Sequence, residues 1–217
     1  MAFHLSLALS DIPDLVDVAL AAFENDPILS FAKQDCTWSD LRNRDLSTCH
    51  LAFSEQDKHQ DSTKVTDAAT GKLVSFCRWR SPAPEAGLAP SAVKRPNEAA
   101  VKGLNAELWS RFGGDLIAKR KIHYDSATDC FFHILVTHPS YQRRGLATRL
   151  VEYIMKLADR DGAETYVDAS SAGYSFYLKR EWNETARFEI DLGQYGGAGI
   201  RLVKSMIRPP KIAGTSG

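Results

Sequence analysis

The sequence predicts an α/β fold in one domain, and three observations carry that expectation. Segments of strand length alternate with segments of helical periodicity along most of the chain. Two strand-like runs, Lys64 to Asp67 and Lys72 to Trp79, flank the turn Ala68-Ala69-Thr70-Gly71 and read as a hairpin. The nearly continuous apolar run Cys130 to Thr137 leads, through a short basic loop, into the amphipathic stretch Leu146 to Arg160. The 217 residues, 44% hydrophobic and 25% charged, suit a single globular domain with an ample core.

Taken in order, Phe3 to Leu9 is the first strand. Ser10-Asp11-Ile12-Pro13-Asp14 then caps a helix whose apolar positions are Ile12, Leu15, Val16, Ala19, Leu20 and Phe23. Pro27 ends it, and Asp40 to Ser54 returns to helical spacing through Leu41, Leu46, Leu51 and Phe53. After the hairpin, Pro82, Pro84, Pro90 and Pro96 forbid regular structure over 81–96. A helix over 98–121 follows, carrying Val101, Leu104, Leu108, Trp109 and Phe112, with Gly113-Gly114 expected to interrupt it. Cys130 to Thr137 reads as a strand buried on both faces. Leu146, Leu150, Val151, Ile154, Leu157 and Ala158 form the stripe of the next helix, which Asp161-Gly162 ends. Thr165 to Ala169 is a strand, Ser171 to Trp182 a short helix, and Phe188 to Leu192 and Ile200 to Ile207 the last strands. The glycine-rich stretch 193–199 reads as a flexible loop, and the tail 209–217 as disordered.

Composition removes several classes. Lys plus Arg and Asp plus Glu each number 27, so net charge is zero and a broad nucleic-acid footprint is not expected. Arg143, Arg144 and Arg149 still allow a local basic pocket. Cys36, Cys49, Cys77 and Cys130 show neither zinc spacing nor a disulfide framework, so no metal is expected. A reduced, cytoplasmic setting is the expectation. The apolar start has no basic n-region or cleavage site, and no run nears the roughly 20 apolar residues of a bilayer span. No membrane partner is expected, and the chain is expected as a monomer or homodimer.

The run Thr137-His138-Pro139-Ser140-Tyr141-Gln142-Arg143-Arg144-Gly145-Leu146-Ala147 holds most of the chemistry. The first N–H groups of a helix lack intrahelical acceptors and point where the macrodipole is positive. A diphosphate there accepts several at once, provided small residues let it approach, as Gly145 and Ala147 do. A nucleoside-triphosphatase loop needs Lys and a hydroxyl residue after its last glycine, and a dinucleotide fingerprint needs three glycines; both are missing. A bare one-glycine turn is more often an ordinary turn with a solvated arginine pair. The full run between these two elements favours the anion site.

Gln142-Arg143-Arg144-Gly145-Leu146-Ala147 resembles the Gln/Arg-x-x-Gly-x-Gly/Ala motif of the GCN5-related N-acetyltransferase (GNAT) superfamily. The element order is similar too, over most of residues 3 to 208. The ending Met206-Ile207-Arg208-Pro209 and the long insertion resemble fungal members. The resemblance implies one N-acetyltransferase domain over 1–208, with a mixed, mostly antiparallel sheet flanked by helices. A Pro-rich loop and helical insertion at 81–129 would separate hairpin and central strand. It also implies acetyl-CoA as cofactor. Gln142, Arg143, Arg144, Gly145, Leu146, Ala147 and Thr148 would hold its pyrophosphate. Leu135, Val136 and Thr137 would pair with the two amides of pantetheine, which need partners when buried.

Acetyl transfer needs a base for the acceptor amine and a donor for the leaving thiolate. Tyr177, in Phe176-Tyr177-Leu178, matches the family's tyrosine near the sulfur, and a phenol of pKa about 10 stays protonated at neutral pH. A packed core aromatic is the plainer alternative. The family's following Gly-Phe pair is replaced by Glu181-Trp182, which leaves the helix end open. His133 is the candidate base, expected to share a face with residues 131, 135 and 137. A satisfied structural histidine is its plainer alternative. His138 suits a turn, and His123 and Asp129 are lesser candidates. Asp168 is read first as a cap for the helix near Ser171, Arg78 to Arg80 as a solvated edge, and Trp109 and Phe112 as helix core. The expected function is direct transfer of acetyl from acetyl-CoA to a primary amine of a small molecule. A protein or peptide acetyltransferase and a non-catalytic acyl-CoA sensor are the alternatives.

Overall fold

A computed structural model describes residues 2–4, 6–27, 36–54, 59–84 and 105–211. Seven strands form one sheet: β1 (Ala2–His4), β2 (Gln60–Thr66), β3 (Leu73–Arg80), β4 (Cys130–Thr137), β5 (Thr165–Ser170), β6 (Asn183–Asp191) and β7 (Ile200–Arg208). Their spatial order is β1-β2-β3-β4-β5-β7-β6. Neighbours are antiparallel except β4 and β5, which run parallel. A right-handed crossover is the usual way to join such a parallel pair, and here the connection carries a helix, α4 (Leu146–Arg160). The other helices are α1 (Ile12–Ala22), α2 (Trp38–Ser54), α3 (Ala106–His123) and α5 (Ser171–Leu178). The mixed, mostly antiparallel sheet flanked by helices is as the resemblance implied.

Two cores lie on opposite faces of the sheet. Leu146, Leu150, Val151, Ile154 and Ala158 of α4 pack against Val74, Cys77, Trp79, Cys130 and Phe132. Each such Leu or Ile contributes about 1.5–3 kcal/mol on burial. On the other face, Ile12, Leu15, Val16 and Leu20 of α1 and Leu41 of α2 cover Leu73, Phe76 and Val136. A third cluster seats Leu108 of α3 on Phe188, Ile190 and Val203.

Several expected elements change. The first strand stops at His4; Leu7 instead donates its N–H to Ser62 Oγ, and Leu9–Asp11 is a 3-10 turn. Helix α3 runs unbroken through Gly113 and Gly114. Each glycine costs about 1 kcal/mol in a helix, but the Asn105 cap at Leu108 N (3.0 Å) and the seat of Leu108 hold it. Helix α5 ends at Leu178, and β6 begins as early as Asn183. The stretch read as a flexible loop contains the 3-10 turn Leu192–Tyr195, capped by Asp191. The expectations for 98–104, for most of 81–96 and for 212–217 fall outside the described residues. No helix among the described residues is long and apolar enough to cross a membrane.

The end of β7 is fixed to α4 by an ion pair. Arg208, whose side chain is 1% exposed, donates to both oxygens of Asp159 at 2.8 and 3.0 Å, and Lys211 N donates to Oδ1. Burial works against the charged carboxylate, but the Arg208 and Lys211 bonds outweigh it and hold Asp159 below the usual carboxylate range. A depressed carboxylate contributes stability above its unfolded pKa of about 3.9 and loses it as pH falls through the folded value. Asp159→Asn should therefore lower stability at pH 7 by about 1–3 kcal/mol and flatten the acid limb of stability against pH. Urea titrations between pH 7 and pH 3 measure both; an acid limb as steep as the parent's would contradict the assignment.

Candidate active site

The central strands separate where the cavity begins. β4 pairs with β5 only over Cys130, Phe131 and Phe132; from His133 onward β4 has β3 on one side and no strand on the other. A bulge coincides with this point. Arg78 faces Ile134 and Trp79 faces Phe132, so His133 is the extra residue. A bulge bends its strand and raises the local twist. It also reverses the alternation, which corrects the face expected for His133. Phe132 and Leu135 both pack on the α4 core, whereas Ile134 and Val136 pack toward α1. His133 stays with Phe131, ring centroids 4.5 Å apart, and is exposed rather than enclosed. The expected two-sided burial of the strand thus fails beyond Phe132.

The loop after β4 is braced on several sides. His138 takes the turn role expected of it, its Nδ1 accepting the N–H of Ser140 at 3.2 Å. Tyr141 donates its hydroxyl to Asp67 at 2.6 Å, tying the loop to the hairpin turn and holding the Asp67 carboxyl below its ordinary range. Gln142 Nε2 donates to Thr137 O at 3.2 Å. Arg143 and Gly145 both take positive φ, 62° and 77°. The first helical bond of α4 is Arg149 N to Gly145 O. The N–H groups of Leu146, Ala147 and Thr148 therefore lack acceptors within the helix. Space beside Gly145 is open: nothing lies within 4 Å of where a Cβ would stand. Backbone N–H groups left without acceptors at a helix start are chemically suited to an anion, and we call this loop the cradle.

One cavity of about 820 Å³ joins this cradle to the opened strands and continues beyond them. Leu135, Val136, Thr137, Gln142, Arg143, Gly145, Leu146, Ala147 and Thr148 all line it, with Tyr177 and His133. Arg144 does not. Its guanidinium donates to Ser140 O at 2.9 Å and stacks on Tyr141 at 4.9 Å, so it braces the loop from outside. The Val136 side chain is buried toward α1, which leaves only its backbone for a ligand. Tyr177 is 5% exposed, and no hydrogen bond of its hydroxyl occurs among the described residues. Burial pushes its pKa up, with Cys77 adding and Arg180 opposing.

Other expectations are corrected. Asp168 is not the helix cap: Ser170 Oγ takes that role, accepting Gly173 N at 3.1 Å. Asp168 instead accepts from Arg120 Nη2 (2.9 Å), Tyr166 hydroxyl (2.9 Å) and Ser205 Oγ (3.0 Å), and lines the cavity. Trp79 and Arg80 are buried, not a solvated edge. Asp129 accepts Asp125 N and shapes its own turn. Trp109 and Phe112 pack as helix core and line the cavity as well. Sequence reasoning missed Phe176, Arg120, Arg201 and the brace of Arg180 on Thr148 Oγ1 (2.6 Å). No motif marks them, since their partners lie far away in the chain. All four cysteines are free, and no metal-binding cluster occurs among the described residues.

Fold and site together define a class: one mixed sheet, opened between two parallel strands, leading to a helix start whose first N–H groups lack acceptors within the helix. The chain belongs to the acetyltransferase (GNAT) family, whose family model matches residues 31–181. No curated protein sequence matches it. Solved structures share the fold. One, a histone acetyltransferase HPA2 and related acetyltransferase from Corynebacterium glutamicum, has a TM-score of 0.62 at 16% identity, covering 99% of this chain and 100% of that one. The ribosomal-protein-S18-alanine N-acetyltransferase from Escherichia coli gives 0.55 at 14%, covering 100% and 99%. An aminoglycoside 6'-N-acetyltransferase complexed with coenzyme A gives 0.52 at 12%, covering 96% and 97%. The likeness to fungal members gains nothing from these.

Proposed function

We propose that residues 1–208 form one N-acetyltransferase domain that moves an acetyl group from acetyl-CoA to a primary amine of a small molecule. The observation that carries this reading is the continuous cavity from the Gly145 cradle, along the unpaired edge of β4, to Tyr177 and His133. The residues present fit the donor. The cradle offers N–H groups to a pyrophosphate, and the β4 edge at Leu135 to Thr137 offers main-chain groups to two amides. When bound, acetyl-CoA supplies an activated thioester.

The chain's own groups divide the remaining work. His133, exposed on the bulge beside Phe131, takes the proton from the attacking amine, directly or through one water. Tyr177 donates from its hydroxyl to the departing sulfur. No cysteine serves as nucleophile: Cys77 and Cys130 are buried with thiols pushed up by burial, and Cys36 and Cys49 are raised in the same direction. Direct attack in a ternary complex follows. Four free thiols also support a reduced, cytoplasmic setting. The decisive measurement is release of free CoA thiol from acetyl-CoA across a panel of small amines and short peptides. Release with small amines is the expected result. Release with peptides alone would move the acceptor class to proteins, and tight CoA binding without release for any acceptor would make the chain a sensor.

A further inference from the structure

Beyond the thioester end, the cavity wall is built of paired charges. Arg120 meets Asp168 at 2.9 Å, Arg201 meets Asp26 at 2.8 Å and Arg44 meets Asp45 at 2.6 Å, and all six residues line the cavity. Three guanidinium groups balance three carboxylates, so this wall does not attract a polycation. Its unmet hydrogen bonds have one sign. The Nε of Arg120, the Nε of Arg201 and the Nε1 of Trp109 are buried without a partner among the described residues, and all are donors. No carboxylate oxygen of the wall is orphaned in the same way. These three N–H groups are sealed from solvent, so a ligand in the cavity meets the outer nitrogens instead, and Arg120 Nη1 is neither sealed nor hydrogen-bonded among the described residues.

Arg120 is the best placed of the three. Its guanidinium lies 4.0 Å from the centroid of Phe131, whose ring is 4.5 Å from that of His133. Stacking fixes the guanidinium plane, and Nη2 is occupied by Asp168, which Tyr166 and Ser205 hold from behind. The N–H groups of Nη1 and the second N–H of Nη2 are left to suit a carboxylate. Asp168 beside it offers the opposite charge within a few ångströms. An ion pair in a cavity wall is complementary to a ligand that carries both charges at similar spacing.

We propose that the acceptor is a small zwitterion, an amine with a carboxylate on the neighbouring carbon, and that Arg120 is the residue that selects it. The carboxylate docks on the Arg120 fork, Asp168 receives the ammonium on entry, and His133 stands next to the amine when it is deprotonated for attack. This rests on the acetyl-transfer reading above, and its test separates the two. The acetyl-CoA-dependent release of thiol is measured with a free α-amino acid, its primary amide and the alkylamine that lacks the carboxylate. The melting temperature of the CoA-bound protein is measured with the same three compounds.

The free acid is expected to exceed both others in kcat/KM by about tenfold or more, the size of a hydrogen-bonded charge pair. Arg120→Gln should erase most of that preference. Arg120→Lys, which keeps the charge and loses the fork, should restore little of it. CoA affinity of each variant reports that it is folded. An amide or alkylamine used as well as the acid overturns the inference and leaves acetyl transfer standing. Protection of the CoA-bound protein by the acid alone, with no thiol release, keeps the recognition and sinks the transfer. The absence of both protection and preference overturns the inference.

Discussion

Tyr177→Phe is expected to lower kcat for CoA release by about 100-fold while leaving the affinity for CoA unchanged. The size is that of one lost donor or general acid. The ring itself is held by edge contacts with Phe176 at 5.3 Å and Trp182 at 5.4 Å, and phenylalanine keeps both. What is lost is a hydroxyl that lines the cavity and has no hydrogen bond among the described residues. Burial raises its pKa well above the ordinary phenol. A thiol has a pKa of about 8.5, so moving the proton wholly from this phenol to the sulfur is uphill. In the proposed mechanism the hydroxyl therefore acts by donating a strong hydrogen bond to the thiolate as it forms. The sign has a consequence for pH: a raised phenol stays protonated through the working range, so no alkaline loss of activity should arise from Tyr177. Steady-state kinetics and calorimetric CoA titration of the variant decide it; an unchanged kcat would remove Tyr177 from the chemistry.

Trp182→Ala should cost about 3–5 kcal/mol of stability, whereas Trp182→Phe should cost less than about 1.5 kcal/mol. Trp182 is fully buried, edge-on to Phe132 of β4 and to Tyr177 of α5. It thereby joins the opened strand to the helix that carries the phenol. Its indole Nε1 is buried without a partner among the described residues, so phenylalanine removes one unsatisfied donor along with some contact area. The residue before it explains the chain's departure from the family pattern. Glu181 has φ 70°, the left-handed backbone that a glycine takes freely and another residue takes at about 1–2 kcal/mol. Turn geometry is therefore kept while the usual Gly-Phe letters are not. Urea unfolding gives the stability difference; equal losses for Ala and Phe would mean that packing against Tyr177 and Phe132 is not what Trp182 supplies.

The legible parts of this protein share a cause. Both β4 and α4 were bounded correctly from Cys130 to Thr137 and from Leu146 to Arg160 because their apolar patterns are long and unmixed. The strand, the single glycine and the helix start were legible because that signal is local, lying within a short stretch of chain. Gly113-Gly114 misled because propensity is a small local term and the seat of Leu108 on β6 and β7 exceeds it. Asp168 misled for a related reason. A short acid ahead of a helix is a good cap by type, but its partners Arg120 and Ser205 come from elements 48 and 37 residues away.

By itself the sequence determined the main strands and helices and pointed to the family, since these depend on patterns within single elements and on their order. Only the tertiary structure decided where the sheet opens, because pairing of β4 with β5 stops at a bulge whose position depends on β3. It also decided which charges line the cavity. Arg120, Arg201 and Asp168 acquire their positions from ion pairs and stacking across long sequence separations. Such contacts are fixed by the packing of whole elements, and no local pattern in the chain encodes them.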